Sequence, residues 1–141
     1  MGALYAPMQR QVIPSVRQAF RALAVTFVPE AGSLDEPQWA ELERIVEMQI
    51  ALRPPKVRRQ LGLLIRVLDL LPLARHGRHL TALAPPERLA FLATMQSLPV
   101  LLIRRGVWGL RTLVFMGYYA RPEGAAAIGY RADPRGWEAR R

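Results

Sequence analysis

The run from Val100 to Tyr119 constrains this chain more than any other stretch. It contains no proline, in a chain with twelve of them. Apolar residues occupy most of the circumference of the helix it predicts. Gly106, Gly109 and Gly117 fall within about 80° of one another on a wheel of 3.6 residues per turn. Glycine costs a helix roughly 1 kcal/mol per position relative to alanine, so three on one side need a physical reason. Close approach supplies one: without a Cβ, a second backbone or a flat ring can come into contact there. Arg104, Arg105 and Arg111 interrupt the apolar run. Each would cost about 2.5–3.5 kcal/mol at the centre of a bilayer, which argues against a lipid-spanning helix. The expectation is a helix buried in protein, partly its own and partly a partner's.

The remaining chain divides at prolines. Ser15 is placed to cap a helix to about Phe27, with Val16, Ala19, Phe20, Leu23 and Phe27 on one face. Asp35, Pro37 and Gln38 have the spacing of a capping box opening a second helix to about Leu52. Pro54-Pro55 separates it from a third helix, Lys56 to about Leu71, whose two apolar faces suggest the central core helix. Pro72 ends or kinks that helix, and Leu73–Ala84 reads as a connector. A fourth helix opens at Ala84-Pro85-Pro86-Glu87 and runs to about Leu98, and Pro99 precedes the fifth. Pro122, Glu123 and Gly129 have the places of start, first-turn charge and end of one more short helix. The predicted fold is all-α: an orthogonal bundle of about five main helices plus a short C-terminal one. It forms a single domain over 1–141, with 1–14 and 131–141 as extended arms.

Charge is divided unevenly. Residues 1–52 hold four arginines against six acids, while 53–141 hold sixteen basic residues against five acids. All the basic residues but Lys56 are arginine. A basic half fits nucleic acid, an anionic membrane surface or an acidic protein. These arginines are spaced singly through apolar helices, which favours protein interfaces and core edges over phosphate binding.

Chemistry-bearing constellations are sparse. The chain has no cysteine, which excludes disulfides, thiolate zinc sites and iron–sulfur ligation. His76 and His79 form an H-x-x-H pair, but Gly77 lies between them and no carboxylate occurs from Leu70 to Pro86. They read as two solvated histidines, with a small metal-using enzyme as the sharper alternative. Glu43 and Glu47, with Arg44, read as an exposed helical face rather than an acid–base pair. No serine sits in a G-x-S-x-G setting. No P-loop or G-x-G-x-x-G is present, so neither catalytic residues nor a cofactor are expected in this chain. Trp108, Arg111, Tyr118, Tyr119, Arg121 and Tyr130 gather the residue types enriched at binding hot spots. They are the candidate partner interface. For Tyr118 and Tyr119 a place in the core remains an equal reading.

The string Gly117-Tyr118-Tyr119-Ala120-Arg121-Pro122-Glu123, followed by Ile128-Gly129-Tyr130, resembles the C-terminal end of the gluconate 2-dehydrogenase subunit 3 family. Phe20-Arg21-Ala22-Leu23, then Pro29 and Gly32, is similar to that family's opening. The resemblance spans about Ser15 to Tyr130. It implies a small, helical, non-catalytic subunit beside a large FAD-containing dehydrogenase of the glucose–methanol–choline class. FAD and catalytic histidine would then belong to the partner. Peripheral membrane association is a further expectation, and nucleic acid is not the expected partner. The alternative is a basic helical module on an anionic membrane surface or nucleic acid. Met1–Pro14 lacks the form of a signal peptide, unlike many members of that family. The expected location is therefore cytoplasmic or at the inner membrane, with export only if a partner carries the chain.

Overall fold

Prolines and one polar cap decide where the helices begin. The computed structural model describes residues 11–120, and these are all-α, with five main α-helices and a short one. No strand occurs among the described residues. A 3-10 turn, Ile13–Val16, leads into α1, Arg17–Phe27. A second such turn, Pro29–Ser33, precedes α2, Glu36–Ala51. Then follow α3, Pro55–Leu70, and α4, Pro72–His76. A third 3-10 turn, Leu80–Ala82, leads to α5, Pro85–Ser97, and α6, Leu101–Tyr119.

The expected capping box of α2 is present. The Gln38 N–H donates to Asp35 Oδ1 at 2.9 Å, and the Asp35 N–H donates to Gln38 Oε1 at 3.0 Å. Pro55, Pro72 and Pro85 each open a helix, where a missing N–H costs no hydrogen bond. Ser15 does not cap α1: its hydroxyl donates to the Val12 carbonyl inside the 3-10 turn. The connector after Pro72 is also more ordered than expected. Pro72 starts α4, and Gly77, at φ +68°, closes it in the left-handed region that glycine adopts freely. Arg88 ties the following turn to α5 by donating to the carbonyls of Leu80 and Thr81 at 3.1 and 2.8 Å. The short helix expected over Pro122–Gly129 lies outside the described residues.

The core is centred on α1, which packs against α3, α5, α6 and all three 3-10 turns. Phe20, Leu23 and Ala24 on α1 are fully buried. Full burial of a side chain such as Phe20 or Leu23 contributes about 1.5–3 kcal/mol. The most extensive helix pairing is α2 on α6. There a Cβ placed on Gly117 would lie 2.7 Å from Val46 Cγ2 and 3.2 Å from the Leu42 carbonyl oxygen. At Gly106 it would lie 2.6 Å from Leu64 Cδ2 of α3. Close approach thus explains Gly117 and Gly106. Gly109 faces open space, with no neighbour within 4 Å of such a Cβ.

The expected central helix is displaced from the centre. Of α3 only Ile65 and Leu68 are buried, while Leu63 and Leu70 are exposed. One of its two apolar faces meets the core and the other is left outside. The reading of α2 also changes at two positions. Glu43 is buried, 6 % exposed, and accepts from Arg17 Nε at 2.9 Å and from Arg21 Nε at 2.6 Å. Arg17 and Arg21 are four residues apart on α1, so one helical turn presents both to the same carboxylate. Arg21 also pairs with Glu36 at 2.7 Å and lies 5.0 Å from the centre of the Trp39 ring. Glu47 accepts from the Ile13 N–H, an otherwise orphaned donor of the 3-10 turn. These acids join α2 to α1 instead of facing water.

Burial pushes the Glu47 carboxyl above the ordinary glutamate value of 4.5, against hydrogen bonds from Ile13 and Val12 that lower it. The Arg21 hydrogen bond holds exposed Glu36 below that value. Their signs are opposite. Glu36 adds stability above its unfolded value that is lost as pH falls through its folded one. Glu47 costs stability as pH rises from its unfolded value through its raised folded one. Glu47→Gln keeps an acceptor for Ile13 and removes that cost. Urea denaturation should show the variant more stable than the parent at pH 7, with the difference gone at acid pH where Glu47 is protonated in both states. The glycines make a second pair of expectations, measured by thermal unfolding. Gly109→Ala should stabilise by up to about 1 kcal/mol. Gly117→Ala should destabilise by about 1–3 kcal/mol, because the Leu42 backbone cannot yield as a side chain can.

Candidate partner interface

Helix α6 carries an aromatic stripe at helical spacing. Trp108, Arg111, Phe115 and Tyr119 follow at intervals of three and four residues, so their side chains overlie one another. The Arg111 guanidinium lies 5.4 Å from the Trp108 ring centre and 5.0 Å from that of Phe115. Phe115 stacks on Tyr119 at 5.8 Å with the planes 10° apart. Tyr119 in turn meets Tyr118 edge-on at 4.9 Å. Each arginine–ring contact contributes about 0.5–1 kcal/mol at an exposed site and holds the side chains in one arrangement. Ordered side chains lose less entropy on binding.

Trp108 is 61 % exposed, an unusual position for the largest apolar side chain. Arg111 and Tyr119 are half-buried beside it. Trp108, Arg111 and Tyr119 therefore form one accessible patch. Tyr118 is only 7 % exposed and belongs to the hydrophobic core, which removes it from the candidate interface. Its place follows from the helix: one residue, about 100°, from Tyr119, it falls in the arc that buries Val107, Leu110 and Val114. Arg121 and Tyr130 lie outside the described residues. Phe115 was not among the sequence candidates, although its spacing from Trp108 and Arg111 marks it as the link in the stripe.

A second exposed feature lies between α3 and α6. It is a half-open groove of about 530 Å³. Leu61, Leu64, Val67, Ile103 and Leu113 are among its walls, with Leu63 and Leu102 at 62 % and 68 % exposure. Gly106 and Gly109 lie along its α6 side. Among the described residues three polar ones reach it: Arg53, Gln60 and Arg105. The apolar periodicity of α3 shows this second face in the sequence, but not that it stays uncovered.

The two histidines do not converge. His76 Nδ1 is 3.8 Å from Glu87 Oε2, and His79 Nδ1 is 3.4 Å from Asp69 Oδ2. Each thus has a carboxylate neighbour from just outside the acid-free stretch, Glu87 from α5 and Asp69 from α3. No group of three metal-ligating side chains occurs among the described residues. No described helix is long and apolar enough to cross a membrane.

Alanine at Trp108 and at Tyr118 separates surface from core. Trp108→Ala should change stability by no more than about 1 kcal/mol, the lost contact being with Arg111. Tyr118→Ala should cost about 3–5 kcal/mol, as for other large buried rings. Urea denaturation of the two variants checks both. No family model, no curated protein and no solved structure matches this chain.

Proposed function

We propose that this chain is a non-catalytic helical subunit that binds and stabilises a large flavin-dependent dehydrogenase of the glucose–methanol–choline class, through the Trp108–Arg111–Tyr119 patch of α6. The observation that carries the reading is the exposed, pre-ordered aromatic–arginine stripe. Tryptophan, tyrosine and arginine dominate the energetics of protein interfaces, and a stripe already stacked needs little further ordering. The resemblance of Gly117–Glu123 and Ile128–Tyr130 to subunit 3 of gluconate 2-dehydrogenase supplies the class of partner. The partner holds the FAD and performs the oxidation. This chain acts by mass action: a ligand that binds only the folded partner at a hundred times its Kd adds about 2.7 kcal/mol to the partner's stability.

The test is isolation of the tagged chain from its native host at low salt. A large chain should co-purify with absorbance near 370 and 450 nm, roughly the bands of oxidised flavin. Trp108→Glu and Arg111→Glu should lose that chain while keeping the helical circular dichroism of the parent. A colourless preparation, or flavoprotein retained equally by both variants, would overturn the proposal.

A further inference from the structure

We propose that the groove between α3 and α6 is a binding site for a single-chain anionic amphiphile of the fatty-acid class. Its tail lies along the leucines and its acidic head meets an arginine of the lining. The site does not depend on the subunit reading above. The groove-facing residues of α6 centre on Leu102, Gly106, Gly109 and Leu113, on the order of 140° around the helix from the Trp108 stripe. A partner on the stripe leaves the groove accessible.

The tail is specified by the walls. Leu63 and Leu102 are large apolar side chains left mostly in water, and covering them gains free energy in proportion to the area removed. The volume of about 530 Å³ falls in the range of small-ligand pockets, roughly 300–1,000 Å³. A flexible single chain can lie along the groove against both helices. Gly106 lets Leu64 lie close against α6, and the open space at Gly109 continues the groove past it.

The head is specified by charge. Among the described residues Arg53 and Arg105 are the charged groups of the lining, and no carboxylate reaches it. Neither guanidinium has a hydrogen bond or ion pair among the described residues. Helix α6 contains no acidic residue at all. Helix α3 contains only Asp69, which faces His79. A carboxylate in the groove therefore finds an unspent guanidinium beside an apolar channel, and a charge-assisted hydrogen bond becomes available to it. An uncharged head of the same length gains the tail contacts alone.

The experiment titrates the full chain with dodecanoate below its micellar range, by displacement of a fluorescent fatty-acid analogue and by calorimetry. Dodecanol is the uncharged control. Saturable one-site binding is expected. Gly109→Leu fills the groove from a position where a Cβ meets nothing, and should weaken binding at least about tenfold with helical dichroism unchanged. The double variant Arg53→Gln, Arg105→Gln should weaken dodecanoate about tenfold and leave dodecanol unaltered. Three results would overturn the proposal: no saturable binding, affinity unchanged in both variants, or retention on phosphatidylglycerol vesicles with no displacement by free dodecanoate. The last would make the face a membrane-docking surface.

Discussion

The contact of α6 with α2 at Gly117 sets the orientation of everything exposed on α6. With no Cβ at that position, the Leu42 backbone and the Val46 side chain reach the helix surface directly. The same arc of α6 carries Val107, Leu110, Val114 and Tyr118 into the core. Once that arc is committed, the helix has two remaining apolar arcs that the described chain covers only in part. One bears Trp108, Arg111 and Phe115; the other, with α3, forms the groove. An ordinary amphipathic helix would carry polar residues there. The unusual feature is therefore not the core but the surplus of apolar surface beyond it.

Arginine has two distinct uses in this bundle. Arg17, Arg21, Arg58 and Arg88 are fasteners. The first two close on buried Glu43, and the others donate to backbone carbonyls at the ends of helices and turns. Such planar donors satisfy groups that would otherwise be stranded at the core edge. Arg53, Arg105 and Arg111 belong to the surfaces that face outward, at the groove and on the ring stripe. Among the described acids, Glu36 and Glu43 close on the first group, and Asp35 and Glu87 cap helices. Three of the sixteen basic residues of 53–141 are thus placed on apolar faces of the described chain.

Much of the architecture was legible because it depends on local rules. Proline at a helix start, the Asp35–Gln38 box and the three-and-four spacing of Phe20 and Leu23 act within a few residues. Five main helices follow from them. What was misread depends on distant residues. Glu43 and Glu47 look solvated because the arginines and the Ile13 N–H that bind them are 22 to 34 residues away. Helix α3 looks central because its two apolar faces give no sign of which one is covered. Tyr118 and Tyr119 are adjacent and chemically alike, yet a rotation of about 100° puts one in the core and the other at its edge.

The amino-acid sequence by itself determined the all-α class, the approximate bounds of the five main helices, the absence of thiol chemistry and the surplus of arginine over acid. Those are properties of hydrophobic period, backbone restriction and composition, and they need no long-range contact. Only the tertiary structure decided which glycines are contacts and which is open space, which acids are buried, and which apolar faces remain uncovered. Each of those is a question of which helix lies against which, and that is settled by the simultaneous packing of α1, α2, α3 and α6 around one core.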